Sequence, residues 1–132
     1  MKTTNQSGEY VSKATTECAN ADRSISAPQV MSRRKIGTKA DLLFTTQFFE
    51  FGTCEAGKTS DITSTKTLQE AGIKIPRTLK DMLYVLSNEC PNQLRQLKTC
   101  GLAISDKSYS LLKYSIYMAL KIFKVEVKFW RL

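Results

Sequence analysis

Asp41, Glu55 and Lys58 are the residues whose types and order can do chemistry in this chain. Two carboxylates brought together across a hairpin can hold a Mg²⁺ or Mn²⁺ ion along with waters and a substrate phosphate. A nearby lysine can then orient the attacking water or stabilise the charge that develops on phosphorus. Phosphodiester hydrolysis needs those parts. Asp and Glu at strand ends are also ordinary solvated residues, so their order along the chain matters more than their type. The sequence contains no histidine, which removes Ser-His and Cys-His nucleophile pairs and imidazole as a general base. If the chain is an enzyme, it works with carboxylates, lysine or bound metal.

A second pattern overlaps the first. Gly52, Gly57, Lys58 and Thr59 match the phosphate-loop signature G-x-x-x-x-G-K-[S/T], and the run FFEF ahead of them has strand character. The continuation SDITSTKT lacks the helical period that should follow the threonine, and no apolar strand ending in Asp comes after it. A P-loop sheet also needs more chain than about 100 residues. Nucleotide binding through residues 52–59 therefore stands third. Ahead of it come a nuclease-like nucleic-acid-binding domain and a non-catalytic basic module that meets nucleic acid or an acidic protein.

Charge points the same way. Twenty Lys and Arg against twelve Asp and Glu give a formal charge of +8, which favours a polyanionic partner through long-range attraction and counterion release. The basic cluster Arg33, Arg34, Lys35 and Lys39 lies just ahead of the first apolar run. Such a cluster is usually a solvated flank, with a localisation signal or a phosphate-contacting, nucleic-acid-binding arm as the competing readings. Tyr109, Tyr114 and Tyr117 with Lys113 and Lys121 fit either a base-stacking surface or half-buried sheet positions.

Cys18, Cys54, Cys90 and Cys100 fall at no metal-ligand spacing, which excludes a zinc module. The first residues lack the apolar core of a secretion signal, so the expectation is reduced thiols inside a cell, the nucleus included. No run approaches the ~20 apolar residues that cross a bilayer, and no membrane partner is expected.

These residues need elements to position them, and the pattern predicts a small α/β domain. Its expected form is a mixed sheet flanked by one or two helices. Residues 1–30 are polar and without period, and read as a disordered tail ahead of a single domain over 31–132. ADLLFTTQFFEFGTCE, residues 40–55, reads as a β-hairpin. The two-residue period puts Phe49, Phe51, Thr53 and Glu55 on one face and Glu50, Gly52 and Cys54 on the other. Residues 56–67 have loop composition. Pro76 suits a first helical turn, and Leu79, Met82, Leu83 and Leu86 then recur at helical steps. Pro91 ends that helix or starts a short second one with Leu94 and Leu97. TCGLAIS reads as a strand, and Phe123, Val125, Val127 and Phe129 alternate as in a strand with one wet face. Between 108 and 122 a strand and a helix are both open, because Leu111, Ser115, Met118 and Ile122 also recur every three or four residues.

On the runs TKADLLF, FEFGTCEAGK, GIKIPRTLKDML and KTCGLAIS the chain resembles the core of the PD-(D/E)XK, or restriction-endonuclease-like, superfamily, and in particular a group of fungal proteins with similar runs. The resemblance covers residues 38 to 105. It implies that Asp41 and Glu55 bind a divalent metal, Mg²⁺ or Mn²⁺, and that Lys58 assists the attack. The superfamily sets its acidic residue and lysine two apart, whereas Glu55 and Lys58 are three apart. A bulge at Gly57 would restore a common face, and without one the site would be degenerate. The upstream helix that often adds another acid in this superfamily has no evident counterpart, since Glu9 and Glu17 fall in the expected tail. The irregular run after Phe129 reads as a shortened member.

Overall fold

Apolar residues at alternate positions and a hydrogen-bonded turn fold the centre of the chain into an antiparallel hairpin, β2 (Lys39–Thr45) and β3 (Glu50–Gly57). In the turn, Thr46 donates its backbone N–H to the Phe49 carbonyl at 2.7 Å, and Phe49 N–H donates to Thr46 Oγ1 at 3.1 Å. The computed structural model describes residues 4–23, 33–57, 70–105, 108–117 and 122–131. Beyond the hairpin, β3 pairs in parallel with β4 (Lys98–Ser105), and a parallel neighbour requires a crossover rather than a tight turn. The crossover carries α2 (Ile75–Glu89) and a single 3₁₀ turn, Pro91–Gln93. β5 (Ser108–Tyr117) and β6 (Ile122–Arg131) add antiparallel on one side. β1 (Thr4–Val11) adds antiparallel to β2 on the other, giving a six-stranded mixed sheet in the order β1 to β6.

The helical period of α2 is what makes the core. Ile75, Leu79, Met82 and Leu83 have no exposed surface and cluster with Leu43, Ala40 and Ala14. Thr99 on β4 sits under the helix, donating its hydroxyl to the Leu79 carbonyl at 3.1 Å, so its buried oxygen is satisfied. Gly101 leaves the space the helix needs. A Cβ there would meet Ile75 Cγ2 and Leu79 Cδ1 well inside van der Waals distance.

Residues 4–11 form β1, and α1 (Lys13–Ala19) follows directly and packs beside α2. Neither element has a hydrophobic period of its own. β1 is ordered by main-chain pairing with β2, and α1 is ordered by capping. Ser12 is its N-cap, with Oγ accepting from Thr15 N–H at 3.2 Å. The Glu50 carboxylate then takes three more donors there: Ser12 Oγ at 2.6 Å, Lys13 N at 2.8 Å and Ala14 N at 3.1 Å. An anion on the free amides of a helix start is the favourable placement.

Glu50 reaches α1 because of a bulge. The register runs from Phe44↔Gly52 to Thr45↔Glu50, so Phe51 is the extra residue on β3. The simple alternation, which puts Glu50 with Gly52 and Cys54 and Phe51 with Thr53, is corrected by one step at this point. Glu50 turns to the face of Thr53 and Glu55, while Phe51 stacks on Phe44 with ring centroids 6.4 Å apart. Between 108 and 117 the chain is strand, because β5 is paired residue by residue with β4 and β6, and that pairing overrides the helical spacing of Leu111 and Ser115. The short second helix after Pro91 is only the 3₁₀ turn, with Leu94 and Leu97 beyond it.

Two substitutions test this account. Gly101→Ala forces a methyl into the seam of α2 and β4 and is expected to destabilise the fold by about 1–3 kcal/mol in urea unfolding. Glu50→Ala strips the α1 start of its carboxylate and is expected to lower stability by about 1–3 kcal/mol in the same measurement.

Candidate functional site

The hairpin carries two of the expected site residues, Asp41 and Glu55, each next to its Leu42↔Cys54 rung. Asp41 Oδ2 accepts the backbone N–H of Ala56 at 2.9 Å, which pins its carboxylate beside the residue that follows Glu55. Directly opposed residues of an antiparallel pair share a face. Leu43 and Thr53, with Glu55 two residues further on, therefore lie on the face that α2 covers. Asp41 is exposed, and Glu55 is 4% exposed.

A carboxylate that deep needs a partner with charge and a proton to share. Lys74 provides it, with Nζ 2.8 Å from Glu55 Oε2. Lys74 is the last residue of a one-turn π-helix, Glu70–Lys74, that runs straight into α2. Single π-turns of this kind are frequent at functional sites. Thr78 Oγ1 donates to the Lys74 carbonyl at 2.9 Å, and Pro76 falls where its missing N–H leaves nothing unpaired, so the junction that aims Lys74 is fixed from both sides. The lysine side chain is 32% exposed while the glutamate is shut in, so the pair opens to solvent on its cationic side.

Cys54 lies between these residues in sequence but on the opposite face of β3. Burial pushes its thiol up, and the nearby Glu55 and Asp41 carboxylates push it the same way. The thiol therefore holds its proton more tightly than a free cysteine does, which makes it a poor nucleophile. The remaining donor set is two hard carboxylates, chemistry that suits Mg²⁺ or Mn²⁺ when substrate phosphate and water complete the shell. Among the described residues no group of three or more His, Cys, Asp and Glu could hold a metal by itself.

Lys58 lies outside the described residues. Over the described residues β3 pairs with β4 without a break, from Gly52↔Cys100 to Gly57↔Ser105. The same ladder corrects the phosphate-loop reading over its described part. Residues 52–57 are central strand with main-chain groups engaged in the sheet, whereas a phosphate loop needs backbone amides turned into a concavity. α1 lies upstream of the hairpin in the chain and carries Glu17, which is exposed. Arg33, Arg34, Lys35 and Lys39 are all exposed, and Lys39 opens β2 two residues ahead of Asp41. No described helix is long and apolar enough to cross a membrane.

No family model, curated protein or solved structure matches this chain. The sequence signal for Lys74 was nonetheless present. In GIKIP a lone lysine stands between two isoleucines directly ahead of a helix-starting proline, where an apolar residue would be unremarkable. Lys74→Met leaves Glu55 buried without its partner and is expected to destabilise the fold by about 2–4 kcal/mol, somewhat below the value for a wholly buried pair because the lysine is part-solvated. A Glu55→Gln, Lys74→Met double variant is expected to recover part of that loss in the same unfolding experiment.

Proposed function

We propose that this chain is a nuclease-like domain that binds nucleic acid and hydrolyses phosphodiesters at Asp41, Glu55 and Lys74 in the presence of Mg²⁺ or Mn²⁺. The observation that carries the reading is the shut-in Glu55 carboxylate, held by a half-open Lys74 and flanked across the hairpin by Asp41. Asp41 and Glu55 would hold the ion, which when bound supplies Lewis-acid activation of the phosphate and of water. Lys74 balances Glu55 and presents its ammonium at the solvent side, where it can meet a phosphate oxygen. It takes the lysine role that the sequence gives to Lys58. The formal charge of +8 draws a polyanion toward the site. The described cysteines are free thiols, in keeping with a reducing interior such as the cytoplasm or nucleus.

A specific observation favours a second reading. Both carboxylates already hold protein donors, Lys74 Nζ and Ala56 N–H. A domain in that state can be a non-catalytic module that binds nucleic acid, or an acidic protein, through its basic surface.

Labelled single- and double-stranded DNA and RNA, incubated with the protein in Mg²⁺ or Mn²⁺, separate the two. Cleavage is expected, falling by at least about a hundredfold in Asp41→Asn, Glu55→Gln and Lys74→Ala and abolished by chelator. Binding without cleavage under either metal selects the module. Neither binding nor cleavage overturns both.

A further inference from the structure

The basic cluster is not a loose arm. Residues 33–38 have no regular structure, yet Lys35, Gly37 and Thr38 are tied to α1 and its caps by hydrogen bonds, most of them from α1 side chains to the segment's backbone. Asn20, the residue that closes α1, clamps Lys35 with both ends of its amide: Nδ2 donates to the Lys35 carbonyl at 2.9 Å, and Oδ1 accepts Lys35 N–H at 2.9 Å. Asn20 Nδ2 also donates to the Thr16 carbonyl at 2.6 Å, which fixes its rotamer. Further along, Gly37 N–H donates to Thr16 Oγ1 at 3.1 Å and Thr38 N–H to Thr15 Oγ1 at 2.8 Å. Ser12 N–H donates to the Thr38 carbonyl at 2.9 Å. Gly37 permits this close approach, since a Cβ there would run into the Ser12 carbonyl and the Thr15 and Thr16 hydroxyls. The backbone at Lys35, Gly37 and Thr38 is thus held while Arg33, Arg34, Lys35 and Lys39 stay exposed.

We propose that residues 33–39 form a preformed phosphate-gripping strap, positioned on α1 by Asn20 and Gly37, that docks the sugar-phosphate backbone of nucleic acid just ahead of Asp41. This rests on the nucleic-acid reading above and deepens it. A run of cations on a free chain pays ordering entropy when it binds, whereas a strap already held to a helix does not. The strap leads directly into β2, so a phosphate on Lys39 is two residues along the chain from the Asp41 carboxylate. Asn20 and Gly37 are positioning residues and touch no ligand.

The test is fluorescence anisotropy of labelled oligonucleotides with the full chain across a salt titration. Replacing Arg33, Arg34 and Lys35 together by Ala is expected to flatten the log–log salt slope by about two. Asn20→Ala and Gly37→Ala keep every charge and are expected to weaken binding about three- to tenfold. Wild-type affinity in the folded Asn20→Ala and Gly37→Ala variants would overturn the strap, as would an unchanged salt slope in the triple variant or displacement of the oligonucleotide by polyglutamate at equal charge. Should Asn20→Ala and Gly37→Ala unfold, hydrogen exchange on the wild type decides: slow exchange at the Lys35, Gly37 and Thr38 amides supports the strap, and open-chain rates overturn it. Loss of the hydrolytic reading appears separately, as tight binding without cleavage.

Discussion

β3 is the strand on which the rest of the architecture depends, because the sheet changes sense there. Its β2 side is antiparallel and closes through a short turn. Its β4 side is parallel, and that neighbour cannot be reached without carrying the chain over the sheet. The chain that crosses supplies α2, and α2 buries the α-facing side of β3 and β4. Glu55 is buried as a direct result, since it stands on that covered face, and a buried carboxylate then dictates a cation at the start of the covering helix. The ion pair with Lys74 is therefore a consequence of topology: the residue that enters α2 is the one that passes over the C-terminal end of β3.

The parts of the molecule with their own period were legible in the sequence. The hairpin, the helix from Pro76, the strand at TCGLAIS and the alternating final segment all announced themselves through spacings of two or of three and four residues. What stayed hidden was order imposed from outside a segment. β1 is a polar run paired with β2, and α1 is a seven-residue helix held by a glutamate more than thirty residues away. Neither pattern can be seen in a local window. The bulge at Phe51 is a further case: it shifts Glu50 to the other face by one residue, and no residue type at that point demands it.

The candidate site was half legible for the same reason. Asp41 and Glu55 each stand next to the Leu42↔Cys54 rung of a hairpin the alternation already implied, and the bond from Ala56 N–H to Asp41 follows from that hairpin. Lys74 comes from the far end of the crossover, and only the three-dimensional path brings it to Glu55. The Gly57-Lys58 pair attracted two motif readings because it matches them letter for letter, yet Gly57 is an ordinary rung of the β3–β4 ladder. Motifs written as spacings carry weight only when the backbone adopts the shape the spacing stands for.

The capping of α1 by Glu50 also fixes a sequence of events. Seven residues are too few to persist as an isolated helix in water. The carboxylate that holds this one is synthesised more than thirty residues later. During translation the N-terminal segment therefore leaves the ribosome as open chain and waits, becoming helical only when the β2–β3 hairpin has closed and turned Glu50 toward it. Residues 13–19 are thus made before the contact that shapes them.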